Sequence, residues 1–161
     1  MKENTVKQCI KIMLNDWDFN KTRPRFHYAF AIRKNKIIAI GKNKPEFPSQ
    51  KVLNLAYAYD IEKWKNYPFF HAESDLITKL PNDIKPKNIE ILSLRINRHA
   101  QFRMAKPCKN CQKLLDEFGI QKIYWSCNDS EDKSHDLLLH SQDKILLHKT
   151  QLFHKKQTII A

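Results

Sequence analysis

The sequence predicts an α/β fold of three layers, α/β/α, with a central mixed sheet of about five strands and helices on both faces. Amphipathic helical patterns alternate with short apolar runs that favour strands. One run, Ile89 to Ile96, is rich in β-branched residues, which indicates a strand buried on both faces. The 161 residues suffice for one core of ordinary size. We therefore expect one domain over 1–161.

The N-terminal part of the chain predicts a helix followed by a hairpin. Apolar residues recur every three or four positions, which predicts an amphipathic helix over 5–18; they are Val6, Cys9, Ile10, Met13, Leu14 and Trp17. Strand-forming residues at 26–32 and 37–40 flank a polar turn at 33–36, which predicts a hairpin. We expect Gly41 to end its second strand.

Three more helices and a second strand pair are predicted after the hairpin. The segment 51–64 has helical spacing and should stop before Pro68, and a further helix is expected to run from His71 to Pro81. Pro107 suits the first turn of a helix, which Gly119 should end in a left-handed conformation. The apolar runs 120–127 and 137–139 then suggest a hairpin, and the basic tail at about 144–161 favours neither helix nor strand.

Composition limits the classes of function. A formal charge of +12 and a pI near 9.6 favour association with phosphates, although a solvated basic surface also explains many of these residues. Hydrophobic and charged fractions of 42% and 29% are typical of a soluble folded protein. We find neither an apolar run near the ~18 residues of a membrane span nor a secretory leader. A cytoplasmic protein without a membrane partner is the expectation.

Two short motifs provide candidate metal ligands. Cys108 and Cys111 are separated by two residues, a spacing typical of metal or redox pairs. His71 and this cysteine pair each follow an extended segment and begin a helix, so one sheet edge could present all three. A catalytic Zn²⁺ takes three N or S ligands and leaves a fourth position to water. Glu73 is then expected beside that water as a proton-transfer group; Cys9 and Cys127 are expected in the core.

Together these motifs resemble the cytidine and deoxycytidylate deaminase superfamily. That family has His-X-Glu followed by Pro-Cys-X-X-Cys, and here Pro107 comes about 35 residues after Glu73. The resemblance covers about 26–127 and includes Gly41-Lys42-Asn43, which is similar to the family's Gly-X-Asn. It implies a cytidine-deaminase-like fold whose catalytic core spans about 26–140.

The resemblance also implies a mechanism and contacts to the substrate. Zinc-bound hydroxide would attack the amine-bearing ring carbon while Glu73 shuttles the proton. The backbone N–H of Ala72 would contact the ring carbonyl. Asn43 would hydrogen-bond the sugar, although an ordinary turn asparagine is the alternative. The branches of the family differ in whether the fifth strand is parallel or antiparallel, and the suggested hairpin after Cys127 resembles the antiparallel branch.

The ligand at position 71 bears on the substrate. Free-cytidine deaminases of this family typically have Cys there, whereas members acting on nucleotides, tRNA or single-stranded nucleic acid have His. Arg103 and Lys106 would contact phosphate, unless their loop is merely solvated. We expect conversion of cytosine to uracil on a deoxycytidylate-type nucleotide or single-stranded nucleic acid. Alternatives are an adenosine deaminase acting on tRNA or RNA, and a catalytically silent, zinc-stabilised nucleic-acid-binding member. The oligomeric state, including a homo-oligomer, stays open.

Overall fold

The computed structural model describes residues 1–17 and 26–126, and beyond them only the backbone of three short strands. The helices are α1 (Glu3–Asn15), α2 (Gln50–Ala58), α3 (Glu62–Asn66), α4 (Ala72–Ile77) and α5 (Lys109–Glu117). The strands are β1 (Phe26–Arg33), β2 (Lys36–Lys42), β3 (Lys44–Pro48), β4 (Phe69–Phe70), β5 (Glu90–Ile96), β6 (Phe102–Arg103), β7 (Lys122–Ser126), β8 (Leu139–His140), β9 (Lys144–Ile145) and β10 (Phe153–Lys155).

The main sheet is mixed and has the order β10-β7-β5-β1-β2. β5 and β7 are parallel and are joined through α5, as in a βαβ unit. β1 is antiparallel to both β2 and β5, and the short β6 pairs with the end of β5. The predicted α/β class with a mixed sheet of about five strands is therefore confirmed.

Helices pack on both faces of the sheet. On one face, which we call the α1 face, α1 buries Cys9, Ile10 and Met13 against strand residues such as Phe30 and Leu94. The opposite face, which we call the α4 face, is covered by α2 to α5, and its core includes Ala29, Ala31, Val52, Leu76, Ile91, Leu114 and Ile123. Successive strand residues point to opposite faces, so β1 and β5 contribute to both cores.

The first hairpin differs in detail from the prediction. Its turn is Lys34-Asn35, both with positive φ, as a two-residue type I′ turn requires. Gly41 lies inside β2 and does not end it, so that prediction was wrong. A Cβ at Gly41 would lie 2.0 Å from the carbonyl oxygen of Ala72. Glycine is needed there because α4 packs directly on the strand backbone.

The predicted helices are present, but their limits differ: α1 covers Glu3–Asn15 where 5–18 was expected, and α4 ends at Ile77, before Pro81. The segment 51–64 forms two helices, because the chain turns at Asp60, whose φ is +48°. Pro107 lies just before the N-cap residue Cys108 and not in the first helical turn. Gly119 has a φ of +89° after α5, as predicted. Among the described residues, no helix has the length and apolar character needed to cross a membrane.

The strand beside β7 comes from the tail and not from the run at 137–139. β10 pairs with β7 in antiparallel fashion, whereas Leu139 pairs with Ile145. The expected hairpin after residue 127 was therefore wrong, although the neighbour of β7 is antiparallel. An apolar run indicates a strand without specifying its partner. Cys127, the loop 128–133 and Leu137 lie outside the described residues.

Candidate metal centre

The predicted ligands lie at the sheet edge where β1 begins and β2 and β5 end. Phe26 at the start of β1 pairs with Ile96 at the end of β5. The backbone N–H of Asn43, just after β2, donates to the carbonyl of His27 at 3.0 Å. The parallel strands β5 and β7 also end here, which is where α/β folds generally hold their sites.

Three side chains converge at this edge as a possible metal site. His71 is the N-cap of α4 and Cys108 the N-cap of α5, while Cys111 lies in the first turn of α5. The Nδ1 atom of His71 lies 3.3 Å from the Sγ of Cys111 and 3.6 Å from that of Cys108. All three ligand atoms lie within 4.8 Å of one another. The fold thus brings together the predicted His/Cys/Cys group.

The spacing of these atoms fits a tetrahedral metal. Zinc binds imidazole nitrogen at about 2.0 Å and thiolate sulfur at about 2.3 Å, so tetrahedral angles separate the two ligand types by about 3.5 Å. The observed nitrogen–sulfur distances of 3.3 and 3.6 Å are close to this value. One nitrogen and two sulfurs are also a donor set that zinc accepts.

The pKa values of the two thiols are shifted in opposite directions. A hydrogen bond from Cys111 lowers the pKa of Cys108 to about 3; burial opposes this shift, and His71 reinforces it. Burial, with the hydrogen bond to Cys108 and the charge of Glu73, raises the pKa of Cys111 well above its usual range. The hydrogen bond to Cys108 raises the pKa of His71. The group therefore carries a thiolate ready to bind a cation.

Glu73 is a buried carboxylate whose two oxygens lie in different surroundings. Its Oε1 accepts a hydrogen bond from the Ser93 hydroxyl at 3.1 Å. Its Oε2 is buried and has no hydrogen-bond partner among the residues that the structure describes. Burying a polar oxygen without a partner is costly. The arrangement is therefore suited to a group that supplies a donor at Oε2, such as a metal-associated water.

Polar contacts and packing hold α4 in place beside the sheet. The side chain of Asp75 is buried and accepts from the Lys42 backbone N–H at 2.8 Å, from Lys79 at 2.6 Å and from Lys44 at 3.0 Å. The Trp64 ring lies 5.9 Å from the His71 ring. These contacts fix the start of α4 and hence the positions of His71 and Glu73.

The residues predicted to contact substrate lie in different settings. Ala72 is buried at the first position of α4, and Asn43 follows β2 at the site edge. Arg103 is exposed on β6 and donates to Gln101 at 3.4 Å. Lys106 is exposed with its Nζ 5.9 Å from the Trp125 ring. Their roles toward a substrate stay predictions.

The sequence prediction missed His27 and Ser93. His27 Nε2 lies 2.7 Å from Ser93 Oγ, and that hydroxyl reaches Glu73. The sequence did contain a signal, because each is a polar residue inside an otherwise apolar strand. Such a position favours a polar interaction within the core.

Comparisons with protein-family profiles, curated proteins and solved structures found no match. The fold and the site together define an α/β protein with a His/Cys/Cys group that could hold a metal ion.

Proposed function

We propose that this chain is a zinc-dependent hydrolytic deaminase that converts cytosine to uracil on a phosphate-bearing substrate. The proposal depends chiefly on one observation. A buried carboxylate, Glu73, has an oxygen without a hydrogen-bond partner in the described part of the chain and lies close enough to Cys111 to raise the pKa of that thiol. A zinc site that only stabilises the fold has no need of such a group.

The donor set supports a catalytic zinc over a structural one. Structural sites generally use four protein ligands, whereas catalytic sites use three and keep one position open. His71, Cys108 and Cys111 form a group of three among the described residues. When bound there, zinc supplies a Lewis acid that lowers the pKa of a water molecule.

In the proposed reaction, Glu73 would carry both protons of the attacking water to the substrate. The reaction consumes one water, forms a bond from oxygen to the ring carbon, breaks the bond from that carbon to the amine, and releases ammonia. Glu73 would take a proton from water through Oε2 and deliver it to the adjacent ring nitrogen. It would then take the second proton, from the oxygen now bonded to the ring carbon, and deliver it to the amine, which leaves as ammonia.

The proposed phosphate on the substrate is supported by position 71 and by charge. His replaces the Cys typical of free-cytidine deaminases in the family that this chain resembles. Lys106 and Lys109 are exposed on either side of the ligand Cys108. Cations beside the site would stabilise a 5′-phosphate or a polynucleotide backbone.

Ammonia release from a set of substrates tests the function. The zinc-loaded protein is incubated with dCMP, CMP, cytidine, single-stranded DNA and tRNA, and the product base is identified by mass. We expect uracil from a phosphate-bearing substrate. Glu73→Gln has nearly the same shape without the acid–base function, so it should lower turnover about 10²–10⁴-fold while retaining zinc.

Each other outcome contradicts a specific part of the proposal. Turnover of cytidine alone would contradict the phosphate requirement. Inosine in tRNA would assign the activity to adenosine. Full zinc occupancy without ammonia from any substrate would exclude the deaminase and favour a zinc-stabilised binding protein. Equal turnover by the parent and Glu73→Gln would exclude Glu73 as the proton shuttle.

A further inference from the structure

Three polar side chains on the α4 face are connected by consecutive hydrogen bonds. His27 Nε2 lies 2.7 Å from Ser93 Oγ, and Ser93 Oγ lies 3.1 Å from Glu73 Oε1. Ser93 pairs with Ala29 across β1 and β5, so it is a diagonal neighbour of His27 on the same face. Ser93 and Glu73 are buried, and the side chain of His27 is 17% exposed.

The number of hydrogens available for donation determines which group is the donor in each of these hydrogen bonds. An ionised carboxylate only accepts hydrogen bonds, and a serine hydroxyl has one hydrogen to donate. If that hydrogen goes to Glu73 Oε1, Ser93 Oγ can only accept from His27. The hydrogen bond at 2.7 Å then requires a proton on His27 Nε2.

We propose that Ser93 and His27 are positioning residues that hold Glu73 through Oε1 and thereby leave Oε2 directed at the reacting water. His27 donates from Nε2–H to Ser93, and Ser93 donates to Glu73. The catalytic consequence rests on the proposed deaminase function, whereas the direction of the hydrogen bonds does not.

The setting explains why such a restraint matters. A glutamate has three side-chain torsions, and the terminal one is broad. When Oε1 is fixed by a hydrogen bond, Oε2 also has a defined position. Correct orientation of the reacting groups contributes a large part of an enzyme's rate enhancement. Burial lowers the pKa of His27 against the opposing charge of Glu73, which favours a neutral ring with one N–H.

Matched variants separate positioning from a structural role. Ser93→Ala removes the donor to Glu73, and His27→Leu removes the donor to Ser93, whereas His27→Gln retains an N–H donor. In zinc-loaded protein we expect the first two to lower kcat about 10–100-fold with KM unchanged, and His27→Gln to retain most of kcat. Unchanged kcat in Ser93→Ala and His27→Leu, with only stability reduced, would overturn the positioning role.

A second measurement does not require enzymatic activity. The ¹⁵N NMR signals of histidine show which ring nitrogen carries the proton. In the zinc-loaded parent protein we expect Nε2–H for His27, assigned by the signal that His27→Gln lacks. A proton on Nδ1 alone would make His27 Nε2 an acceptor from Ser93 instead of a donor to it, and this result would overturn the inference. An inactive parent with Nε2–H would refute the deaminase proposal while the hydrogen-bond direction stands.

Discussion

The two faces of the sheet use the same strands for different purposes. Along β5, Leu92, Leu94 and Ile96 point to the α1 face and pack in an apolar core. The alternate residue Ser93 points to the α4 face, where it joins the partly buried His27 and the buried Glu73. One strand therefore supplies apolar packing through one set of residues and a polar site through the other.

The cysteines on the two faces show how strongly the environment controls chemistry. Cys9 lies in the apolar core under α1, where burial raises its pKa to about 12. On the α4 face, the hydrogen bond from Cys111 holds the pKa of Cys108 at about 3. Burial without a polar partner makes a thiol inert, whereas a neighbouring donor makes it a thiolate.

The largest expected difference between the two faces is the effect of a Cys→Ser substitution on zinc binding. Cys111→Ser should lower zinc affinity by more than the ~10–100-fold typical of losing an outer-shell hydrogen bond, because a ligand itself is lost. Cys9→Ser should lower stability by about 1–3 kcal/mol, since it buries a hydroxyl, and should retain zinc. Metal analysis and urea unfolding measure the two effects. Equal zinc content in both variants would contradict the ligand assignment.

The next largest effect should come from the close approach of α4 to β2. Gly41→Ala places a Cβ 2.0 Å from the carbonyl oxygen of Ala72, so backbone must move, at a cost of about 3 kcal/mol. Gly119→Ala is the control: the new Cβ has space, and only the positive φ opposes it, at about 1 kcal/mol. Urea unfolding compares them. Equal losses of stability would show that α4 does not pack tightly on Gly41.

The smallest effect is expected from Asp75, and it should depend on pH. Burial alone would raise the pKa of this carboxyl, but hydrogen bonds from Lys79, the Lys42 backbone and Lys44 lower it overall. The ionised form therefore stabilises the folded state at neutral pH. That stabilisation begins to disappear below the unfolded pKa of about 3.9 and is lost as the pH falls through the lowered folded value.

Asp75→Asn tests this pH dependence. With both proteins free of zinc, the variant should be about 1.5 kcal/mol less stable at pH 7, because the partly exposed lysines are screened by solvent. The difference should shrink as the solution is acidified below about pH 4. Unfolding free energies measured across this range check the prediction. A difference that stays constant with pH would show that the charge of Asp75 has no role in holding α4.

Local patterns were enough to identify the parts of the candidate site with distinctive chemistry. His71, Cys108 and Cys111 stood out because ligand types recur at short spacing beside helix starts, and both features are local. His27 and Ser93 were missed because they are 66 positions apart and meet only through the register of β1 and β5. The partner of β7 was mistaken for the same reason, since strand pairing is nonlocal.

The sequence by itself therefore determined the α/β class, most of the helices and strands, and the three candidate metal ligands, because periodicity and motif spacing act over a few residues. Tertiary structure alone decided that Gly41 lies under α4 and that β10 joins the sheet. It also decided that Glu73 Oε1 accepts from Ser93 while Oε2 has no hydrogen-bond partner within residues 1–17 and 26–126. These features depend on which distant segments pack together. That choice is made by the free energy of the whole fold and not by any single segment.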